Sequence, residues 1–486
     1  QNYGKDSNDT YPQGEYLPWS GAQRGSVLNL PLCPGNPSNR TDKCGYSADV
    51  LLPNIPVMPI SAASGLLLIT NLGGAGVPAD WKGGLPNTTY TIGPGHNVSL
   101  KVNNIRRNEK LINIIATIPG SLTPAEDNPV LLGNHRDAWV FGAADPNSGS
   151  VALIEVARGL NQAWSRGWRP LRTIIIGSWD GEEFGIIGST SFAEANERNL
   201  VNASVYINVD TAVSGPNFGA SATPACIDAI LTAARDLNSR RDPNVPPIDI
   251  AEADIGALGG GSDYAPFLNH LGIASIDVGF GFGGSGYPVY HSIYDSFHWM
   301  QKYGDPDFMY HISIARLWGL IAMRMATNTI LPMNVGKLSE RLNSYYSIAE
   351  EAYLKSNINT DIGLANLRSH ITEFSKVTQA FGKVNTLQIE TSHSYNYILA
   401  ENEKAFLHDE GLPNRLWYKN VLMASGIDKG YGADTFPGLM QAIRQDNTKL
   451  AEEQVKVIVD CVEVSIDLLK SIPGGLPMGG PDNSEL

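Results

Sequence analysis

From about Leu111 to Ala326 the chain alternates short apolar, β-branched runs with amphipathic stretches. That alternation predicts an α/β domain built on a largely parallel sheet. From about 331 to 470 the spacing changes. Apolar residues recur every three and four positions over Leu338–Tyr353, Ile362–Phe381, Glu390–Leu407 and Thr448–Leu469, which predicts helices. Residues 1–105 are broken by Pro and Gly, with short strand-like pieces at Gly65–Leu72 and Val98–Val102 and no long apolar run to make a core. Residues 473–486 are rich in Gly and Pro and are expected to form a flexible tail.

Within the alternating zone, four apolar runs end in charged or metal-binding groups. Val130-Leu-Leu-Gly leads to Asn134-His135-Arg136-Asp137, and Thr173-Ile-Ile-Ile-Gly-Ser-Trp leads to Asp180-Gly181-Glu182-Glu183. Val205-Tyr-Ile-Asn-Val ends in Asp210, and Ile273-Ala-Ser-Ile is followed by Asp277. Ligands of open α/β sheets bind at the carboxyl edge of the strands, and buried carboxylates are costly unless paired or metal-bound. Asp145 follows His135 by ten residues, just ahead of a helix expected from Ser150 to about Trp164 with Ser148 as its N-cap. In an extended loop, the adjacent Glu182 and Glu183 point in different directions, so one can bind metal while the other faces substrate. His, Asp and Glu are the ligands zinc takes in hydrolytic sites. A carboxylate bridging two ions ~3.5–4 Å apart is usual in aminopeptidase-like centres. Any one of these residues alone is more often a satisfied polar group, and Asp277 reads equally well as a solvated strand end. Gathered together they favour a functional site. The Gly259-Gly-Gly-Ser262 run lacks the Gly-Lys-Ser/Thr of a phosphate loop and is read as close backbone packing.

Composition narrows the classes. Among 486 residues, 35 Lys+Arg stand against 49 Asp+Glu, a net charge of −14 without a basic run, which excludes a nucleic-acid binder. No apolar stretch reaches the ~18 residues needed to span a membrane. The cysteines are Cys33, Cys44, Cys226 and Cys461, at no metal-ligand spacing. Cys33 and Cys44 share one Pro/Gly/Asn-rich loop, where they are placed to close a short ring. Sequons lie at Asn8, Asn39, Asn87, Asn97 and Asn202. With that disulfide they favour a secretory-pathway protein, extracellular or vacuolar. The start at Gln1, without Met or signal peptide, leads us to expect a processed chain.

The sequence resembles the glutamate carboxypeptidase II and transferrin-receptor-like group of zinc exopeptidases, from about Tyr11 to about Ile472. The resemblance is carried by Gln23-Arg-Gly, Pro53-Asn-Ile-Pro-Val-Met-Pro-Ile, Gly93-Pro-Gly, His135-Arg-Asp-Ala-Trp-Val-Phe-Gly, Ser178-Trp-Asp-Gly-Glu-Glu-Phe-Gly, Ser285-Gly-Tyr-Pro-Val-Tyr-His-Ser and Thr435-Phe-Pro-Gly, in that order. It implies an aminopeptidase-like mixed sheet flanked by helices over 106–330, preceded at 1–105 by the C-terminal part of an apical protease-associated domain. It further implies a helical dimerisation domain over 331–472, and so a homodimer. Two Zn2+ ions are implied, one held by His135 and Asp210 and the other by Glu183 and His291, with Asp145 bridging. Glu182 is implied as general base, Tyr290 as donor to the oxyanion and Asp137 as the carboxylate orienting His135. A cis Asp145–Pro146 bond is implied as well. Receptor-like relatives keep the fold without catalysis but have lost metal ligands, whereas this chain retains all five and Glu182.

The departures concern substrate and partners. The family's arginine patch for acidic side chains falls on Ala220, Asp277 and Gly279, with Ser262 for a neighbouring Asn. The surroundings of Ala220, Val278, Gly279 and Phe280 are read as small and apolar, suiting neutral residues. On the other side of the scissile bond an Asn becomes Ser26, and a Lys falls at Gly430 with Lys429 next to it. Tyr431 is kept, and Gly261 completes the expected substrate contacts. A neutral-preferring carboxypeptidase acting on small peptides is expected, with aminopeptidase action as the alternative, since relatives do both. The calcium-type site of the family aligns with Cys33, Asn36, Ser191 and Glu194, leaving only Glu194 as a ligand. Relatives carry about two hundred residues before the point matching Gln1, so an N-terminal fragment of the same precursor is expected as a second, bound chain.

Overall fold

The computed structural model describes residues 3–477 except 39, 106, 241, 283–285, 385, 387 and 388. A six-stranded mixed sheet organises the middle of the chain. Its strands are β1 (Ile114–Ile118), β2 (Val130–His135), β3 (Ile174–Trp179), β4 (Val205–Asn208), β5 (Asn217–Ala222) and β6 (Ser275–Gly281), in the order β1-β3-β2-β4-β6-β5. The four central strands β3, β2, β4 and β6 are parallel, and each edge strand is antiparallel to its neighbour. Parallel strands covered on both faces read as unbroken apolar runs, and every residue of β2 and β4 is buried. Gly133 in β2 is required by a close approach, because a Cβ there would run into the Tyr206 hydroxyl and the Trp179 indole nitrogen.

The flanking helices are α1 (Asn147–Ser165), α2 (Ile187–Ala195), α3 (Ile227–Ser239) and α4 (Met309–Thr327). On α1 the buried Ala152, Leu153, Val156 and Leu160 fall at three- and four-residue spacing, the stripe that faces the sheet. The C-terminal region consists of α5 (Val335–Lys355), α6 (Leu364–Phe381), α7 (Ile389–Glu401), α8 (Pro437–Arg444) and α9 (Thr448–Lys470), with a hairpin of β7 (Met423–Ser425) and β8 (Ala433–Thr435). Helix α9 buries Val455, Ile458, Val459, Val462, Ile466 and Leu469 along one side.

Several local expectations change. Gly65–Leu72 is not a strand, since Ala62–Ile69 forms a helix whose cap residue Ser61 accepts the backbone N–H of Ser64. The cap and a run of Leu outweigh the strand-like pattern. Val98–Val102 forms no regular element. Ser148 is not an N-cap, because α1 starts one residue earlier and Ser148 donates to the Ala144 carbonyl at 2.5 Å from inside the first turn. Asp277 does not follow a strand but lies in the middle of β6. Cys33 and Cys44 form a disulfide, whereas Cys226 and Cys461 are free and buried. Asn8, Asn87 and Asn97 are exposed and Asn202 is half-buried, while Asn39 and residues 478–486 lie outside the described residues. No helix among the described residues is long and apolar enough to cross a membrane.

Candidate metal centre

Strand register aligns three of the predicted groups. His135 ends β2 opposite Trp179 of β3, and Gly133 pairs with Asn208 of β4. The turn carrying Glu182 and Glu183 and the residue Asp210 therefore leave the sheet side by side. Asp145 comes from the loop before α1, across a cis bond to Pro146. His291 comes from the loop after β6, at φ 54.

The five side chains converge into two groups that share Asp145: His135, Asp145 and Asp210 in one, Asp145, Glu183 and His291 in the other. His135 Nε2 lies 3.0 Å from Asp210 Oδ1 and 3.2 Å from Asp145 Oδ1. His291 Nε2 lies 3.2 Å from Asp145 Oδ2 and 3.1 Å from Glu183 Oε2. Such separations match the edges of a tetrahedron with metal–ligand bonds of ~2.0 Å. The other nitrogen of each imidazole faces a backbone carbonyl, His135 Nδ1 that of Asp137 at 3.0 Å and His291 Nδ1 that of Arg24 at 2.9 Å. Each Nδ1–H thus donates to a carbonyl, which leaves Nε2, on the side of the shared carboxylate, as the nitrogen free to ligate a metal.

The electrostatics call for a cation. Among the described residues, no Lys or Arg forms an ion pair with Asp145, Glu183 or Asp210, whose partners are the two histidines. Asp145 Oδ1 and Glu183 Oε1 are buried without a hydrogen-bond partner. Burial pushes Glu182 and Glu183 well above the ordinary carboxylate range, and the neighbouring acids add to it. Burial acts against the charge of His135, but Asp210, Asp137 and Asp145 hold its pKa well above the usual value. A cluster this anionic and this dry fits divalent metal, which supplies the missing positive charge.

Supporting groups are also visible. The Asp137 carboxylate accepts the backbone N–H groups of Glu182 at 3.0 Å and Glu183 at 3.2 Å. Its side chain was expected to orient His135, but Oδ1 stands 3.7 Å from Nδ1, and the backbone carbonyl makes that contact instead. Asp295, which the sequence did not single out, accepts the N–H groups of Ala144 at 2.8 Å and Asp145 at 3.2 Å and the Tyr287 hydroxyl at 2.7 Å. Its position four residues after His291 was the one available hint. Tyr290 stacks on His291 with ring centroids 3.6 Å apart.

A cleft of about 580 Å³ opens from Asp145, Asp210 and Tyr290 and is lined further by Gly261, Ser262, Ala220, Asp277, Gly279 and Tyr431. It is larger and more polar than the small apolar pocket expected, since Asp254, Asp277 and Asn217 also line it. Ser262 does not present a free hydroxyl, because its Oγ donates to Asp210 Oδ2 at 2.5 Å and accepts from Asn208 at 3.0 Å. Lys429 is not free for substrate, because its Nζ pairs with Asp434 Oδ1 at 2.7 Å beside Arg444. Ser26 does not line the cleft, and its Oγ accepts the Leu28 N–H at 3.1 Å. The Gly259–Gly261 run packs under the β7–β8 hairpin, where a Cβ on Gly261 would meet the Tyr431 side chain at 2.7 Å. At the calcium-type position Glu194 is taken by Arg40, whose guanidinium reaches Oε1 and Oε2 at 2.5 and 2.6 Å, and by the Trp417 indole N–H at 2.8 Å.

The fold and the paired ligand groups define a metallopeptidase. The Peptidase family M28 model matches residues 113–307, and the transferrin receptor-like dimerisation domain model matches residues 360–470. The chain is 37% identical to the probable glutamate carboxypeptidase LAMP1 of Arabidopsis thaliana, an alignment covering 94% of this chain and 67% of that protein. It is 34% identical to the aminopeptidase NAALADL1 of Mus musculus over 90% of this chain and 63% of the relative. The chain thus spans about two thirds of the length of these relatives. A zinc aminopeptidase structure from Bacillus subtilis is 18% identical, with a TM-score of 0.35 over 45% of this chain and 51% of the other. The chain belongs to the M28 peptidases that carry a transferrin receptor-like dimerisation domain, the glutamate carboxypeptidase and NAALADL1 family.

Proposed function

We propose that the chain is the catalytic portion of a binuclear zinc exopeptidase acting on small peptides. The carrying observation is that one buried carboxylate, Asp145, is shared by two ligand groups. His135 and Asp210 would hold one ion, Glu183 and His291 the other. Zinc, when bound there, lowers the pKa of a water and polarises the scissile carbonyl. Glu182, adjacent to the ligand Glu183 but outside both ligand groups, would take a proton from the attacking water and return it to the leaving amine once metal charge offsets the burial that raises its pKa. The Tyr290 hydroxyl, on the cleft wall, donates to the oxyanion.

Among the described residues no Lys, Arg or His lines the cleft, which supports a preference for substrates without an acidic side chain on the amino side of the scissile bond. Carboxypeptidase action is the primary reading, and the kinship with an aminopeptidase keeps cleavage from the amino end as the alternative. The match to the dimerisation family supports a homodimer through the helical region, here taken as 331–472. Residues 106–330 are taken as the catalytic domain and 1–105 as the end of an apical one. A bound N-terminal fragment of the precursor is supported by apolar side chains left open on these parts, among them Ile55 at 73%, Ile105 at 76% and Ile112 at 63% exposure. The disulfide and exposed sequons support passage through the secretory pathway. A Glu182→Gln variant tests the mechanism. It should lose turnover by at least about a thousandfold while keeping its zinc, and turnover near wild type would remove Glu182 as the base.

A further inference from the structure

The floor of the cleft is one face of the β5–β6 pair. Register sets Ser221 opposite Asp277, Gly219 opposite Gly279 and Asn217 opposite Gly281, and all of these line the cleft. Alternation along a strand puts them on a common face. Three of the six are glycines: a Cβ at Gly219 would meet no atom within 4 Å, whereas one at Gly279 would run into the Thr211 carbonyl oxygen at 2.5 Å. Asp277 is the one charged group on this floor. Its Oδ1 accepts the Asn208 amide at 3.0 Å, and the same amide reaches Ser262, which holds Asp210. Asp277 therefore stands one asparagine and one serine away from Asp210, in the same cleft as Asp145 and Asp210. Asp254 sits on the same cleft wall and is exposed.

Neither Asp277 nor Asp254 is paired with Lys, Arg or His among the described residues, although the structure pairs other acids readily. Asp277 is half-buried, and a carboxylate withdrawn from water without a counter-charge is unfavourable. Cations bound by His135, Asp145 and Asp210 would neutralise Asp210, but Asn208 and Ser262 separate them from Asp277. Burial raises the Asp277 carboxyl to about 7 against the hydrogen bond from Asn208, and a cationic group arriving in the cleft would supply the charge that keeps it ionised.

We propose that Asp277 is a specificity-determining residue that receives an ammonium group carried by the substrate residue on the amino side of the scissile bond. This rests on the metallopeptidase reading above and adds the substrate class. Two sources share the chemistry: a free α-amino group, which would make the enzyme an aminopeptidase, and a lysine-like side chain on a blocked or longer peptide.

Three dipeptides separate them: norleucyl-alanine, N-acetyl-lysyl-alanine and N-acetyl-norleucyl-alanine. The zinc-loaded wild-type protein should cleave one of the two ammonium-bearing peptides with a kcat/KM on the order of 10- to 100-fold above that for N-acetyl-norleucyl-alanine. Preference for the first identifies the α-amino group, and preference for the second identifies the side chain. In Asp277→Asn and Asp277→Ser that ratio should fall to about one. Equal cleavage of all three by wild type, or a ratio that survives both substitutions, overturns the proposal. Calorimetric binding of the same peptides to zinc-loaded wild type and Asp277→Asn reads the preference without turnover. An ammonium preference in binding that Asp277→Asn abolishes supports the proposal even if no peptide is hydrolysed, and binding without such a preference overturns it. Absence of hydrolysis counts against the peptidase reading alone.

Discussion

The carboxylate of Asp137 grips the backbone of Glu182, with Oδ1 3.0 Å from its nitrogen. The contact ties the end of β2 to the turn after β3, two neighbouring strands whose ends carry His135 on one side and the Glu182–Glu183 pair on the other. Burial works against charge on Asp137, yet His135 and the two backbone N–H groups hold its pKa below the usual range, so it stays an acceptor.

Replacing Asp137 by Ala should therefore loosen the Glu182 turn without removing a ligand. We expect kcat to fall about 10- to 100-fold with zinc retained, by steady-state kinetics and metal analysis. Unchanged kcat would show that the turn holds its position without this clamp.

Lys429 was a candidate substrate contact, but it is committed to Asp434, which Arg444 also engages. Lys429→Ala should change kcat/KM by less than about threefold on any peptide the enzyme cleaves. A loss of more than about tenfold, confined to particular substrate side chains, would put Lys429 back in the substrate cleft.

Arg40 stands at the family's calcium-type position, where Glu194 alone of the aligned ligands remains. Its guanidinium fills both Glu194 oxygens, and the two side chains are 8% and 15% exposed. Arg40→Met would strand a largely buried carboxylate and should lower stability by about 3 kcal/mol in denaturant titrations. Calcium added to the wild type should leave the melting temperature where it was. A calcium-dependent rise in melting temperature would contradict the assignment of Arg40 as the internal cation.

Glu403 gives a pH dependence away from the metal centre. It is 2% exposed, and burial pushes its carboxyl from 4.5 to about 7 against the hydrogen bond from Asn420. Between those values the folded protein holds a proton that the unfolded chain releases, so this group makes stability fall as pH rises through the window. Glu403→Gln removes the penalty and should stabilise the protein by up to about 3 kcal/mol at pH 8, with little difference at pH 4. Equal stability of the two proteins at both pH values would contradict the buried, proton-holding state.

Much of the centre was legible because parallel strands buried on both faces leave continuous apolar runs, and the sheet fixes where the residues just beyond each run must lie. His135, Glu183 and Asp210 are brought together in this way, Asp145 was picked out by its place ten residues after His135 and just ahead of a helix, and His291 was reached only through the resemblance. The groups that escaped act across long sequence distances. Asp295 holds the backbone of Ala144 and Asp145 from about 150 residues away, and nothing periodic marks it. Ser262 lines the cleft, but its commitment to Asp210 depends on a side-chain contact between separate loops. The helix at Ala62–Ile69 was missed because a Leu-rich run carries no period, and its cap at Ser61 lies outside the run.

The central claim is a shared-carboxylate pair of zinc sites that does the hydrolysis. It is tested most directly by measuring zinc and peptide hydrolysis on the same purified protein, before chelation, after chelation and after zinc is restored. The account predicts two zinc ions per chain, loss of hydrolysis when they are removed, and recovery when they return. Full hydrolysis by the metal-free protein would contradict it.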